Sequence, residues 1–424
     1  MFDLNAHLTI ERLGARGEGV ARHNGAAVFT PYALAGETIR AEVDGERGRL
    51  IEILTPSPDR IAAFCPLFGV CGGCAVQTLA APAYAAWKRE LLGAALAHAG
   101  VAMTLAPLAS AGGLGRRRVE LHARTDAQGR AVVGFMQARA HTLAPLAVCP
   151  LLAPALARAP EVARALAAKL AAGKPFDIAI AATDGGLDVD LRGLGALDEA
   201  MRQRAIAAAA ALDLARLSNH GAPLIVRRAP CVRMGAARVT PPPGAFLQAT
   251  EAGEAAIAAA VADFCGPARR IADLFAGVGT FSLRLAERAA VHAVEYDDAA
   301  GLALARAARE TPGLRAVTVE CRDLFARPLT PAELAGFDAV VFDPPRAGAP
   351  AQAKALAASV VPTVVAVSCN PQTFARDARI LVDGGYTAEG ALPIDQFLCS
   401  PHLETVGVFR KPRARKPKRG LLSR

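Results

Sequence analysis

At 424 residues, with 53% hydrophobic and 21% charged residues and 38 Gly and 29 Pro, the chain is too long for one ordinary core and too apolar to be disordered; about three domains are expected. The net charge of +9 is uneven: residues 410–424 hold eight Lys or Arg and no acid, and +9 less those eight leaves the rest near +1. The electrostatic case for a polyanionic partner therefore rests on this tail. No apolar run reaches the roughly 18–20 residues of a membrane span, and the start MFDLNAHLTIERLG lacks a basic segment followed by an apolar one, so a non-secreted, cytoplasmic protein without membrane partners is expected.

Residues 5–55 alternate apolar and polar over LTIERL, GAAVFTPYAL, TIRAEV and RLIEIL, broken by the turns GARGEG and DGERG. This is the pattern of a small antiparallel barrel, assigned to 1–57. Residues 59–80 carry three of the nine cysteines, Cys65, Cys71 and Cys74. The odd count and the crowding argue against a disulfide framework and for a metal or cluster site in a reducing compartment. Residues 84–99 show helical periodicity with one Gly, Gly93, and no Pro. From 116 to 228, strands VELHAR, VVGFM and LDVDLRG alternate with Ala-rich helices, predicting an α+β middle domain over 58–229. Here Arg116, Arg117 and Arg118, with Arg227 and Arg228, are phosphate contacts or a solvated basic face.

From Pro230 to Lys411 the texture becomes alternating β and α: IADLF, VHAVEY, FDAVVFD and TVVAVS are short buried-type strands, each followed by a helical stretch. Such units imply a parallel sheet with ligand sites at the strands' carboxyl ends. The basic tail 412–424 is expected to be disordered in isolation.

The segment Asp273-Leu274-Phe275-Ala276-Gly277-Val278-Gly279-Thr280 follows a strand and opens a helix, so its glycines admit a close ligand. One βα unit later Glu295 ends a strand, placed for ribose hydroxyls, and Asp323 is placed for an adenine edge. Each alone is an ordinary feature of a doubly wound sheet. Together, and without a phosphate-binding GxxxxGK[ST], they favour a nucleoside-containing cofactor.

After FDAVV come Phe342-Asp343-Pro344-Pro345-Arg346, and after TVVAV come Ser368-Cys369-Asn370-Pro371. A Pro-bounded turn at a strand end exposes the Cys369 sulfur as a nucleophile, against the alternative of a small buried thiol. Glu404, in Pro401-His402-Leu403-Glu404-Thr405, is the candidate base, against a solvated carboxylate. Cys65-x5-Cys71-x2-Cys74 provides three thiolates on one loop and needs a fourth ligand. A zinc site usually has two C-x2-C pairs and this chain has one, while a radical methylthiotransferase needs an absent C-x3-C-x2-C.

Taken together and in this order, DLFAGVGTFSLRLA, FDPPRAG, SCNPQTFARD and SPHLETVGVF resemble the RNA 5-methyluridine methyltransferase family, over nearly the whole chain except the tail. The resemblance implies a Rossmann-like class I methyltransferase domain, a TRAM/OB-like RNA-binding barrel at the N-terminus and S-adenosylmethionine as cofactor. It places the nucleophile on Cys369 and the base on Glu404, with Gln248, Phe275, Glu295, Asp323 and Asp343 at cofactor positions. Thr280 stands where Asn is often found, and Phe246-Leu247-Gln248-Ala249-Thr250 where the family usually reads Phe-x-Gln-x-Asn. It also makes Cys149, followed by Pro150, the fourth ligand of a [4Fe–4S] cluster with Cys65, Cys71 and Cys74, leaving Cys231, Cys265, Cys321 and Cys399 as buried thiols.

Members with such a cluster resemble 23S ribosomal RNA uracil-C5 methyltransferases, so 23S RNA is the expected partner, with no obligate protein partner. Transfer RNA as substrate, or a non-catalytic RNA-binding assembly factor, are the alternatives. C5 of uracil is a poor nucleophile, so the reaction requires a thiolate at C6 and a later base for H5. A uridine in folded RNA must also be unpaired or flipped into the pocket, with Phe246 a stacking partner or a core residue.

Overall fold

The computed structural model describes residues 2–113, 115–138, 140, 142–170 and 174–411; the basic tail lies outside them. At the N-terminus, six strands between Phe2 and Thr55 form one sheet curled round Leu8, Ile10, Val28, Ile39 and Val43. In Thr38–Asp44 the buried residues are the alternate ones, Ile39, Ala41 and Val43, as period-two patterning demands. Register shifts between this strand and Arg47–Thr55 mark the bulges that bend it.

A seven-stranded sheet occupies the middle of the chain, running in order Leu143–Pro145, Ala131–Met136, Arg118–Thr125, Phe176–Thr183, Gly186–Arg192, Arg216–Asn219 and Ala222–Val226. Helices Ala159–Lys169 and Glu199–Ala211 bury Val162, Leu166, Ala205 and Ala209 against its Leu121, Ile178, Val189 and Leu217. Strand content, helices and core agree with an α+β unit.

The C-terminal sheet runs Val317–Cys321, Ala290–Glu295, Arg270–Leu274, Ala339–Phe342, Thr363–Ser368, Glu404–Arg410, Thr387–Asp395 and Thr104–Leu105, with Ala109–Ser110 also on Thr387–Asp395. The strands named from sequence pair in parallel, and chain order reverses direction between Arg270–Leu274 and Ala339–Phe342, the crevice where open α/β sheets bind ligands. Two strands not anticipated, Thr387–Asp395 and Glu404–Arg410, form a hairpin-like pair whose second member lies antiparallel to Thr363–Ser368. Helix Ala81–His98 and the short strands at 104–110 sit in the stretch grouped above with the middle domain, yet they add to this C-terminal unit, where Leu92, Leu96 and Val101 enter a core with Phe374, Leu381 and Phe409. Among the described residues no helix is long and apolar enough to cross a membrane.

That helix is pinned by a buried ion pair. Lys88, wholly enclosed, donates from Nζ to Asp395 Oδ1 at 3.0 Å and to the His402 carbonyl, while Tyr84 Oη donates to Asp395 Oδ2 at 2.8 Å. The Cys399 amide donates to Tyr84 Oη at 3.1 Å, and the Cys399 carbonyl accepts from Ala75 N at 2.7 Å. One helix thereby fixes the segment 395–404 and the cysteine loop at once. Removing one member of a buried pair leaves the other charge unpaired, so Lys88→Ala is expected to cost about 3–5 kcal/mol in urea unfolding; a loss below about 1 kcal/mol would show that the pair does not hold this segment.

Candidate active site

The cofactor side is built where Arg270–Leu274 turns into its loop. Phe275 has φ +64°, unusual for a residue with a side chain, and Gly277 and Gly279 have φ of +55° and +99°. A Cβ at Gly277 would meet nothing within 4 Å, so this face is open to a ligand, whereas at Gly279 it would fall 2.4 Å from Leu304 Cδ1. Glu295 accepts from Gly277 N at 2.7 Å and from Asp297 N at 2.9 Å, which holds the loop against the next strand. Asp323 Oδ1 accepts from Phe325 N at 2.8 Å, and the Phe325 ring lies 5.4 Å from that of Phe275. Phe275, Glu295 and Asp323 thus gather at one sheet edge. Thr280 is half-buried beside them, its carbonyl accepting from Arg284 at 2.8 Å.

Asp273 is fully buried, with Oδ2 accepting from Ser282 Oγ at 2.6 Å and Oδ1 without a partner among the described residues; burial pushes its carboxyl up to about 7. The unpartnered oxygen, the open face at Gly277 and the acidic Glu295 and Asp323 together fit a cationic, hydroxyl-rich nucleoside cofactor.

The nucleophile side follows from strand register. Ser368, the last residue of its strand, pairs with Thr405, so Cys369 lies in the turn just past the strand end and Glu404 is the residue before Thr405 on the neighbouring strand, near enough for its charge to act on the thiol. The Cys369 turn is stiff: Asn370 caps helix Pro371–Asp383 by accepting from Gln372 N at 3.0 Å, and Pro371 occupies the first turn. Asp343 leaves the adjacent strand, its amide donating to the Leu274 carbonyl at 3.2 Å, which brings it between the cofactor loop and Cys369.

The electrostatics are those of three acids competing for few protons. Glu404 is 3% exposed, and burial raises its carboxyl to about 7 against the opposing hydrogen bond from Gln396 and the charge of Arg118. Asp343 is raised well above its usual range by burial and by the charges of Glu404 and Asp273. Burial, Glu404 and Asp343 push the Cys369 thiol up to about 11, with Arg346 opposing.

Gln248, buried, reaches this group through a residue not singled out from sequence, Gln396. Its Nε2 donates to Gln248 Oε1 at 2.7 Å and to Glu404 Oε1 at 2.9 Å. Thr250 does not stand in for an asparagine at the cofactor: it caps helix Glu251–Cys265, accepting from Gly253 N at 2.9 Å and donating to the Ala111 carbonyl at 2.6 Å. Phe246 is not a core residue. It is 63% exposed, with the Arg118 guanidinium 4.5 Å over its ring.

The basic residues divide. Arg117 is buried, donating to the Gln248 carbonyl at 3.0 Å and paired with Glu254, so it is structural. Arg227 and Arg228 both pair with Asp213, at 2.8 and 2.7 Å. Arg16, Arg47, Arg116, Arg346 and His402 line a groove of about 1410 Å³ between the N-terminal sheet and the body, together with Glu18, Asp44 and an Arg49 that pairs with Glu42. A smaller cavity of about 250 Å³, lined by Arg12, Arg16, Trp87 and Gln372, continues from it to Cys369.

Cys65, Cys71, Cys74 and Cys149 all line one cavity of about 520 Å³, with Arg116 and Phe246 on its wall. Burial raises the Cys71 and Cys149 thiols, a hydrogen bond with Cys399 lowers that of Cys74 to about 7, and the charges of the cysteines act on one another. Among the described residues no three His, Cys, Asp or Glu converge to hold a metal ion, so the metal site expected from the cysteine spacing is not formed by the geometry of this loop. Of the remaining thiols expected to be buried, Cys265 and Cys399 are; Cys231 is half-buried and Cys321 is exposed, because it ends the edge strand of its sheet.

A family model described as tRNA (Uracil-5-)-methyltransferase matches residues 288–413. An uncharacterized RNA methyltransferase of Brucella suis is 44% identical over 407 residues, 96% of this chain and 98% of that one. The 23S rRNA (uracil(1939)-C(5))-methyltransferase RlmD of Halomonas elongata is 34% identical, covering 97% of this chain and 91% of its own. In fold, the tRNA (uracil-54, C5)-methyltransferase of Pyrococcus abyssi, solved with S-adenosyl-L-homocysteine, superposes with a TM-score of 0.72 at 21% identity, over 95% of this chain and all of that one. The chain belongs to the RNA (uracil-5-)-methyltransferase family, S-adenosylmethionine-dependent enzymes built on the class I methyltransferase fold.

The coupling of Cys369 to its acids has a measurable sign. Glu404→Gln removes a negative charge, so the thiolate becomes easier to form and the Cys369 midpoint falls below about 11. Iodoacetamide labelling of the Cys369 peptide at pH 8 is expected to be faster in the variant, by about tenfold for each unit of fall. Equal rates would show that the two groups do not interact.

Proposed function

We propose that this enzyme methylates C5 of a uridine in 23S ribosomal RNA through a covalent adduct between Cys369 and C6, with Glu404 removing the C5 proton. The observation that supports the reading is that Cys369 follows a strand whose last residue pairs with Thr405, next to Glu404, and that the charges of Glu404 and Asp343 both act on its thiol. Bound S-adenosylmethionine supplies an electrophilic methyl group, and Gln248, Phe275, Glu295, Asp323 and Asp343 are the residues that would hold it, with Thr280 at the loop's end.

The chain's own groups then divide the work. Cys369 Sγ forms a bond to C6, which turns C5 into an enolate carbon able to take the methyl group. Glu404 accepts H5, and breakage of the C6–S bond restores the C5–C6 double bond and releases the thiolate. A base poised near neutrality suits that step, and burial gives Glu404 this value. Phe246, with its exposed face, is a platform for the flipped base, and the arginine-lined groove is the path for the flanking phosphates. The curled N-terminal sheet is read as a TRAM-like RNA-binding domain.

Ribosomal RNA is favoured because a relative matched along nearly the whole chain is named for 23S RNA, while the transfer-RNA enzyme shares the fold alone. Cys65, Cys71, Cys74 and Cys149 line one cavity, which is the support for reading them as the thiolate ligands of a [4Fe–4S] cluster. Its role here is structural, since the methylation moves no net electrons.

With 23S RNA containing 5-fluorouridine and S-adenosylmethionine, fluorine at C5 cannot leave as a proton, so a protein–RNA adduct is expected on a denaturing gel and is expected to vanish in Cys369→Ala. An adduct with transfer RNA only would change the substrate; none with either would refute the reaction. Cys65→Ser is expected to lower bound iron and the yield of folded protein, because a lost thiolate removes metal-linked folding energy; unchanged iron would remove Cys65 from the ligand set.

A further inference from the structure

Gln396 engages four groups through one side-chain amide, the longest contact being from Thr250 N to its Oε1 at 3.5 Å. Its Oε1 accepts from the backbone N–H of Ala249 at 3.0 Å, and its Nε2 donates to Gln248 Oε1 at 2.7 Å and to Glu404 Oε1 at 2.9 Å, in a site where it is 1% exposed. The orientation is unambiguous on chemical grounds. A backbone N–H only donates, so the atom facing it must be the oxygen, and the nitrogen must face the carboxylate.

Two consequences follow. Glu404 Oε1 is engaged by a fixed donor, which leaves Oε2 to take a proton. Gln248, accepting through its own oxygen, keeps its NH2 for a partner other than Gln396. The neighbouring helix records the same constraint: a Cβ at Gly253 would lie 2.6 Å from Gln396 Cβ and 2.7 Å from its Oε1. Glycine inside a helix is otherwise unfavourable by roughly 0.5–1 kcal/mol against alanine, so the position is kept small for Gln396.

From this geometry we infer that Gln396 is a positioning residue for proton abstraction, aiming Glu404 at H5 and setting the amide orientation of Gln248. It rests on the uracil-C5 reading above. Loss of the Nε2 donor leaves the buried carboxylate both misaligned and harder to ionise, so H5 removal slows while addition of Cys369 and methyl transfer continue. The adduct on ordinary uridine then accumulates.

The test compares wild type, Glu404→Gln, Gln396→Met and Gly253→Ala on unmodified 23S transcript, reading methyl turnover, covalent adduct on a denaturing gel and the pH profile of kcat. Wild type is expected to turn over with little adduct and Glu404→Gln to accumulate it. Gln396→Met is expected to lose roughly ten- to a hundredfold in kcat with little change in KM for RNA, to accumulate adduct, and to shift the kcat midpoint upward by about one pH unit. Gly253→Ala, which displaces Gln396 without removing a polar group, should move each readout the same way by less.

Unchanged turnover and pH profile in Gln396→Met would overturn the inference, as would turnover and adduct falling together, the mark of a merely structural role. If wild type yields neither product here nor adduct with 5-fluorouridine, the reaction itself is refuted and this inference with it.

Discussion

The buried ion pair between Lys88 and Asp395 is the contact on which the geometry of the site depends. Asp395 ends a strand of the C-terminal sheet, and the next nine residues carry Gln396, Cys399, His402 and Glu404. That run has little regular structure of its own, so its placement comes from contacts outside any ladder: Lys88 and Tyr84 on Asp395, the backbone bond between the Cys399 carbonyl and the cysteine loop, and Gln396 bonded to the segment before helix Glu251–Cys265. A desolvated lysine is costly unless its partners are well placed, which makes the arrangement specific. Burial lowers the Lys88 ammonium's proton affinity and the Asp395 carboxylate opposes that, so the pair is retained by mutual need.

Above this foundation the site is governed by scarcity of water. Glu404, Asp343 and Asp273 are all held toward their neutral forms by burial, and each charged neighbour discourages the next. The thiol of Cys369 is likewise suppressed by the acids around it. The nucleophile is thereby held toward its protonated form by the protein's own acids.

The sheet strands with continuous β-branched runs, such as Thr363–Ser368, were legible because a strand buried on both faces has a distinctive composition, and the residues that end them carried the motif chemistry. Cys369, Glu404 and the loop after Arg270–Leu274 were singled out this way. The strand Thr387–Asp395 was not, because TAEGALPID contains Gly and Pro and mixes burial classes, and Glu404–Arg410 was seen only as a motif. Gln396 left no signal: a lone glutamine in a short loop reads as surface, and its worth comes from partners 148 residues upstream and eight downstream. Thr250, a departure from the family's motif, has a structural use that the motif does not suggest, since its hydroxyl caps a helix.

The placement of strand Glu404–Arg410 inside the sheet, between Thr363–Ser368 and Thr387–Asp395, bears on how the molecule is made. Thr104–Leu105 is synthesised early but has its partner near residue 390, and the helix carrying Lys88 waits for Asp395. These are pairings of very long sequence separation, which form slowly because a large loop must close first. During synthesis the N-terminal and middle sheets can complete their own cores from local pairings while helix Ala81–His98 still exposes Leu92 and Leu96. The growing chain therefore carries an unsatisfied apolar helix and a buried-type lysine until the last interior strand docks, and the nucleophile and base come into register only in that final step.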